Sequence, residues 1–130
     1  MNLSHVAFEV KDMDRSVAFY CGALGFRDAF DLPDENGNPY IKYLKICDGQ
    51  FLELFYHGSG QPSEGSYSHL CLETEDIFAL AERLKEHNVP FDKDIIQSQR
   101  TKNYQFWIHD PDGNRIEFLQ LDPESPQKKA

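Results

Sequence analysis

His5 and Glu53 recur as His69 and Glu117, each 64 residues further along the chain. Ser4, Glu9 and Asp12 recur at the same offset as Ser68, Glu73 and Asp76, and Asp48-Gly49 recurs as Asp112-Gly113. The His-to-Glu separation is therefore 48 residues in both halves. Self-similarity at one fixed period is the mark of a duplicated structural unit. A single half leaves one sheet face unpaired, so two halves are needed to bury a core. The expected class is α+β, with two tandem βαβββ modules. The first covers 1–57 and the second 67–121, joined by a Gly/Ser/Pro-rich linker at 58–66 and followed by a polar, frayed tail at 122–130.

The element order follows from periodicity. Residues 3–10 alternate, with Val6, Phe8 and Val10 on one face and His5, Ala7 and Glu9 on the other. Asp12 or Asp14 can cap a helix running to about Leu24, with Val17, Tyr20, Cys21 and Leu24 as its apolar stripe and Gly25 as its stop. Strands are expected over 26–32, 40–47 and 51–57, the last two joined by a tight Asp48-Gly49 hairpin. The second half repeats the order. It has a strand over 67–74, a helix capped by Asp76 with Phe78, Leu80, Ala81 and Leu84 buried, and strands over 91–98, 104–109 and 114–121. The last of these is launched by a second Asp-Gly hairpin at Asp112-Gly113.

Composition removes several classes. A formal net charge of −9 argues against nucleic acid and anionic membrane surfaces, both of which need basic patches. Three cysteines, Cys21, Cys47 and Cys71, have no C-x-x-C spacing, which argues against a disulfide framework or a thiolate zinc site. No apolar run is long enough to span a bilayer, and a cytoplasmic location is expected.

The recurring residues carry the chemistry. Taken singly, a His at a strand start is ordinary, and a Glu in an apolar strand belongs to a wet sheet face. The matched spacing changes that. If both types face the concave side, two halves offer two imidazoles and two carboxylates, and a divalent metal removes the cost of leaving them unpaired. Such an N/O set suits Ni²⁺, Co²⁺, Mn²⁺, Fe²⁺ or Zn²⁺.

The Ser-His strand starts, Ser16-Val17-Ala18-Phe19-Tyr20 before Leu24-Gly25-Phe26, and Asp110-Pro111-Asp112-Gly113-Asn114 leading to Glu117 resemble the vicinal oxygen chelate superfamily over residues 1–121. The order His5, Glu53, His69, Glu117 is similar to that of glyoxalase I (lactoylglutathione lyase). The resemblance implies a curved mixed sheet around a metal cleft and a homodimer with sites at the module interface. It implies one divalent metal ion per site, with Ni²⁺ or Co²⁺ favoured for a short chain without insertions. His5, Glu53, His69 and Glu117 would be the ligands. Glu117 and Glu53 would exchange protons with a small-molecule substrate, a hemithioacetal or related α-hydroxycarbonyl, through an enediolate, with Glu117 preferred as base.

Two positions depart from glyoxalase I. Glu9 stands where that family has an Arg for a glutathione carboxylate, and His57 where it has an Asn. A carboxylate at Glu9 would repel glutathione, which argues against it as co-substrate. Arg100 and Lys102 are alternative anion contacts. Cys71, on the face of His69, is a small hydrophobe or a thiol near the metal. Alternative readings are an Fe²⁺ extradiol-type dioxygenase, an epimerase, or a non-enzymic binding or resistance protein. The full set of four ligands argues against the last, and Glu53 crowds the open positions that a dioxygenase needs.

Overall fold

The computed structural model describes residues 1–62 and 65–130. The chain divides into two compact units between residues 62 and 63, within the segment expected as a linker. Residues 63 and 64 of that segment lie outside the described residues.

The first unit runs β1 (His5–Glu9), α1 (Met13–Val17), a π-helical segment Ala18–Ala23, β2 (Arg27–Pro33), β3 (Pro39–Cys47) and β4 (Gln50–Phe55). The second runs β5 (Leu70–Glu73), α2 (Ile77–Glu86), β6 (Phe91–Gln97), β7 (Tyr104–His109), β8 (Arg115–Gln120) and a terminal turn α3 (Pro126–Lys129). Each unit builds its own four-stranded mixed sheet, in the orders β1-β4-β3-β2 and β5-β8-β7-β6. The first strand of each unit lies parallel to its last, and the other pairings are antiparallel. This is the βαβββ topology in both halves.

Strand alternation gives each sheet one apolar face. In the first unit Phe8, Val10, Leu44, Leu52 and Leu54 are buried, with Tyr20, Met13 and Ala23 from the helical segment. In the second, Phe106, Ile108, Ile116 and Phe118 are buried with Ile77, Ala81 and Leu84 of α2. His5, Ala7 and Glu9 alternate with the buried set, as the period predicts.

Both helical faces differ from expectation. The buried residues of the first helix are Met13, Ser16, Tyr20 and Ala23, while Val17, Cys21 and Leu24 are only half-buried. The helix widens past Val17. Leu24 N–H donates to Phe19 O at 3.1 Å, a spacing of five residues rather than four. The buried face itself keeps helical spacing from Met13 through the polar Ser16 to Tyr20 and Ala23. Gly25, at φ +82°, closes the end as expected. In α2 the capping by Asp76 is observed, but Phe78 is exposed and stands edge-to-face against Tyr104 at 5.4 Å. The buried spacing is Ile77, Ala81, Leu84.

The two Asp-Gly turns are not equivalent. Asp48-Gly49 is the expected two-residue hairpin, with Cys47 paired to Gln50 and Gly49 at φ +76°. Asp112-Gly113 instead belongs to a longer loop, 110–114, closed by His109 paired to Arg115. There Asp110 accepts from the Asp112 and Asn114 amides at 3.0 and 2.8 Å, and from Asn114 Nδ2 at 2.9 Å. The same construction closes β2–β3. Asp34 accepts from the Asn36 and Asn38 amides at 2.9 and 2.8 Å, and from Asn38 Nδ2 at 3.1 Å. Asp-x-(Asn/Asp)-Gly-Asn is thus one loop design used at different hairpins of the two halves. It is solvated at Asp34, where the amide and side-chain donors of Asn38 hold the carboxyl below the ordinary aspartate value. It is buried at Asp110, Asp112 and Asn114.

The segment expected as a tail, 122–130, carries a short helical turn. Ser125 is fully buried and caps α3, accepting from Lys128 N–H at 3.2 Å, with Pro126 in the first helical position. Asp122 N–H donates to Asn103 Oδ1 at 2.9 Å, which anchors the segment to the β6–β7 loop.

Removing Asp110 orphans buried donors. Asp110→Ala is therefore expected to destabilise the chain by about 2–4 kcal/mol in urea unfolding, and Asp34→Ala by much less. Equal losses would contradict the difference in burial. The Asp34 loop is strongest above the ordinary aspartate value and loosens as pH falls through the lowered one, because its carboxyl binds a proton less readily folded than unfolded. A carboxyl carbon NMR titration should place Asp34 below a free aspartate, and an unshifted midpoint would refute the hydrogen-bonded loop.

Candidate metal half-sites

The parallel pairing of first and last strands brings histidine to glutamate. β1 and β4 align Ala7 with Glu53, and His5 with Phe51, so His5, Ala7, Phe51 and Glu53 share a face. β5 and β8 align Cys71 with Glu117. β3 adds Tyr43 opposite Glu53, and β7 adds Trp107 opposite Glu117. The rows Ala7–Glu53–Tyr43 and Cys71–Glu117–Trp107 keep the same offset throughout.

His5 Nε2 lies 3.6 Å from Glu53 Oε1, and His69 Nε2 lies 3.2 Å from Glu117 Oε2. Both carboxylates are on central strands and almost fully buried, at 6% and 9% exposure, while both imidazoles are accessible. The expected residues thus come together in two pairs, one within each unit. Among the described residues no cluster of three or more His, Cys, Asp or Glu side chains is placed to hold a metal.

The pairs fit a metal's donor requirements. With metal bonds of about 2.0–2.1 Å, two adjacent donors stand about 2.9–3.4 Å apart, for angles between octahedral and tetrahedral. The separations within the pairs fall at or near that range. Both are neutral-nitrogen and carboxylate donors, with no thiolate required. Ser68 Oγ sits 3.0 Å from His69 Nδ1, which fixes the ring and leaves Nε2 for Glu117 or a cation.

The surroundings differ between the halves. Tyr43 stands edge-on to His5 at 6.4 Å, and its hydroxyl donates to Glu53. That hydrogen bond, then burial, then the carboxylate charge hold the phenol above its ordinary value. Trp107 stands edge-on to His69 at 4.8 Å and has no hydroxyl to offer. In its place Cys71 donates to Glu117. Cys71 is exposed and not the buried hydrophobe that was one expectation. Desolvation, then the charge and hydrogen bond of Glu117, then Glu73, push its thiol up to about 12. It is a thiol at neutral pH.

Sequence reasoning missed Tyr43, although Tyr43 and Trp107 also stand 64 residues apart. It also passed over Arg115, whose guanidinium lies 4.6 Å over the Trp107 ring. The other singled-out residues are elsewhere. Arg100 and Lys102 are exposed loop residues. His109 pairs with Asp92 at 2.8 Å, and His87 closes α2 against Arg83 O at 2.9 Å. His57, at φ +70°, lines a separate cavity of about 550 Å³ with Lys11, Asp12, Arg15 and Tyr56. Glu9 shares the face of His5, as expected.

Residues 2–118 match the Glyoxalase/Bleomycin resistance protein/Dioxygenase superfamily, and the chain belongs to that family. It is 30% identical to a lactoylglutathione lyase of Haemophilus influenzae, over 92% of this chain and 93% of that protein. It is also 30% identical to a trivalent organoarsenical cleaving enzyme of a Bacillus species, over 92% of this chain and 73% of that protein. The crystal structure of TnmS3, an antibiotic binding protein from a Streptomyces species, superposes with a TM-score of 0.72 at 26% identity, covering 94% and 97% of the two chains. Relatives on this fold thus include a lyase, an organoarsenical cleaving enzyme and an antibiotic binding protein, and the reaction has to be argued from the site. No helix among the described residues is long and apolar enough to cross a membrane.

Iodoacetamide mapping of metal-free protein at pH 8 should show exposed Cys47 alkylated well before Cys71, because only the thiolate reacts. Glu117→Gln should narrow the gap. Equal rates in the unsubstituted protein would contradict the thiol's position against Glu117.

Proposed function

We propose that this chain is a metal-dependent lyase or isomerase of glyoxalase I type, acting on a hemithioacetal or related α-hydroxycarbonyl. The observation that carries the reading is the repeated His–Glu pair, 3.6 and 3.2 Å, at matched register in two duplicated sheets. A half-site offers two donors. The likeness to glyoxalase I implies four protein ligands, so one ion would draw on two half-sites, supplied by one chain or by two. His5, Glu53, His69 and Glu117 would hold it; the N/O donor set suits Ni²⁺, Co²⁺, Mn²⁺, Fe²⁺ or Zn²⁺, and the likeness to the short-chain glyoxalase I type favours Ni²⁺ or Co²⁺.

A divalent cation there supplies Lewis acidity toward vicinal oxygens and lowers the pKa of the adjacent C–H bond. The residues do the rest. His5 and His69 would serve as ligands only. Glu117 takes the proton from the carbon bearing the hydroxyl and delivers it to the neighbouring carbon. Glu53 has Tyr43 across the strand and Glu117 has Trp107 and Cys71, so the two carboxylates are not equivalent. Glu117 is preferred as the base. The lyase relatives support this chemistry, and Glu9 weighs against glutathione as the thiol.

Protein stripped of metal and titrated with Co²⁺ should bind about one ion per pair of half-sites and quench Trp107, the single tryptophan. Glu117→Gln should keep binding within about tenfold while turnover of methylglyoxal hemithioacetals falls by about 10² or more. His69→Ala should lose the metal. A protein that never binds Co²⁺ or Ni²⁺, or a Glu117→Gln variant of full activity, would overturn the reading.

A further inference from the structure

The duplicated rows hold one conspicuous exchange of chemistry. One step before the paired Leu70 and Ile116 stand His69 and Arg115. The corresponding pair in the first unit is His5 and Phe51. Phe51 there joins Tyr43 and Phe30 in ring contacts of 6.1 and 6.3 Å, and the cation across the strand from it, Lys45, is paired with Asp48. In the second unit the same position carries a guanidinium, laid over Trp107 at 4.6 Å, while the same ring touches His69 at 4.8 Å. An aromatic ring beside the histidine in one half has thus been exchanged for a stacked guanidinium in the other.

That cation is held, and among the described residues no carboxylate forms an ion pair with it. Stacking on an indole face fixes the guanidinium plane and leaves its N–H edge available, in the fork geometry that suits a carboxylate. The carboxylates around it are engaged elsewhere, Glu117 by His69 at 3.2 Å, Glu73 by Lys128 at 3.7 Å, and Asp92 by His109, the cross-strand neighbour of Arg115, at 2.8 Å. Arg115 is exposed. Its backbone is fixed by the Tyr67 hydroxyl, which donates to Arg115 O at 3.0 Å. The chain as a whole is acidic at −9, so long-range attraction does not bring an anion here; a local fork has to.

We propose that Arg115, stacked on Trp107, is an anion subsite beside the His69–Glu117 pair and selects substrates that carry a carboxylate near the reacting carbons. The proposal rests on the lyase reading above. It makes Arg115 a specificity residue: it binds the substrate's anionic end and takes no part in proton transfer. The role that glyoxalase I gives to a first-strand arginine, absent here at Glu9, would then fall to the last strand of the second unit.

The test uses cobalt-loaded protein and two methylglyoxal hemithioacetals, one made with 3-mercaptopropionate and one with neutral 2-mercaptoethanol. Arg115→Gln should raise KM for the anionic adduct about tenfold or more, with kcat unchanged and the neutral adduct unaffected. Arg115→Lys should restore part of the loss, since it keeps the charge without the fork. Metal-free protein should show a saturable Trp107 fluorescence change with 3-mercaptopropionate that 2-mercaptoethanol does not produce and Arg115→Gln abolishes. Equal KM changes for both adducts, or no change for either, would overturn the proposal. If the unsubstituted protein turns over neither adduct, the lyase reading fails, and the fluorescence titration alone decides the subsite. A response that 2-mercaptoethanol produces equally, or no response to either compound, then rejects it.

Discussion

The parallel pairing of each unit's first strand with its last is the constraint on which the site depends. It makes residues far apart in sequence into neighbours on one face, at a register set by the sheet's two-residue period. A slip of one residue in β4 or β8 would send Glu53 or Glu117 into the helix-covered core and Leu52 or Phe118 to the open face. The register is held because Leu52, Leu54, Ile116 and Phe118 are buried on the far side. The hydrophobic core and the His–Glu pairs are therefore specified together, and neither can shift without the other.

Duplication supplies the backbone twice, and substitution then makes the halves unequal. At the row through the carboxylates the first unit has Ala7 and Tyr43, the second Cys71 and Trp107. A phenol tethers one glutamate and a thiol the other. A phenylalanine faces one histidine and an arginine the other. Under the proposed proton transfer, this inequality would bear on which carboxylate acts as the base. A structural origin alone would give no reason for the donor to Glu117 to appear on a different strand from the donor to Glu53.

Much of this was legible in the chain. The alternation of Val6, Phe8 and Val10 against His5, Ala7 and Glu9 depends only on strand period, and Asp12 and Asp76 cap helices by local chemistry. What escaped was set by tertiary context. The buried stripe of the first helix runs through Ser16, a polar residue that apolar spacing does not mark. Phe78 is exposed because Ile77, one residue earlier, takes the core position. Asp112-Gly113 looked like its earlier copy, but its loop is organised by Asp110 two residues upstream, and its true counterpart is the Asp34 loop. Tyr43 and Arg115 were missed because a cross-strand neighbour is invisible until the register is known.

The central claim is that the repeated His–Glu pairs are metal half-sites. X-ray absorption spectroscopy of the cobalt-loaded protein tests it most directly. The account predicts a first shell of nitrogen and oxygen only, near 2.0–2.1 Å, with the multiple-scattering signature of about two imidazoles per ion. A sulfur shell near 2.3 Å, which would bring in Cys71, or a shell without imidazole, would contradict it.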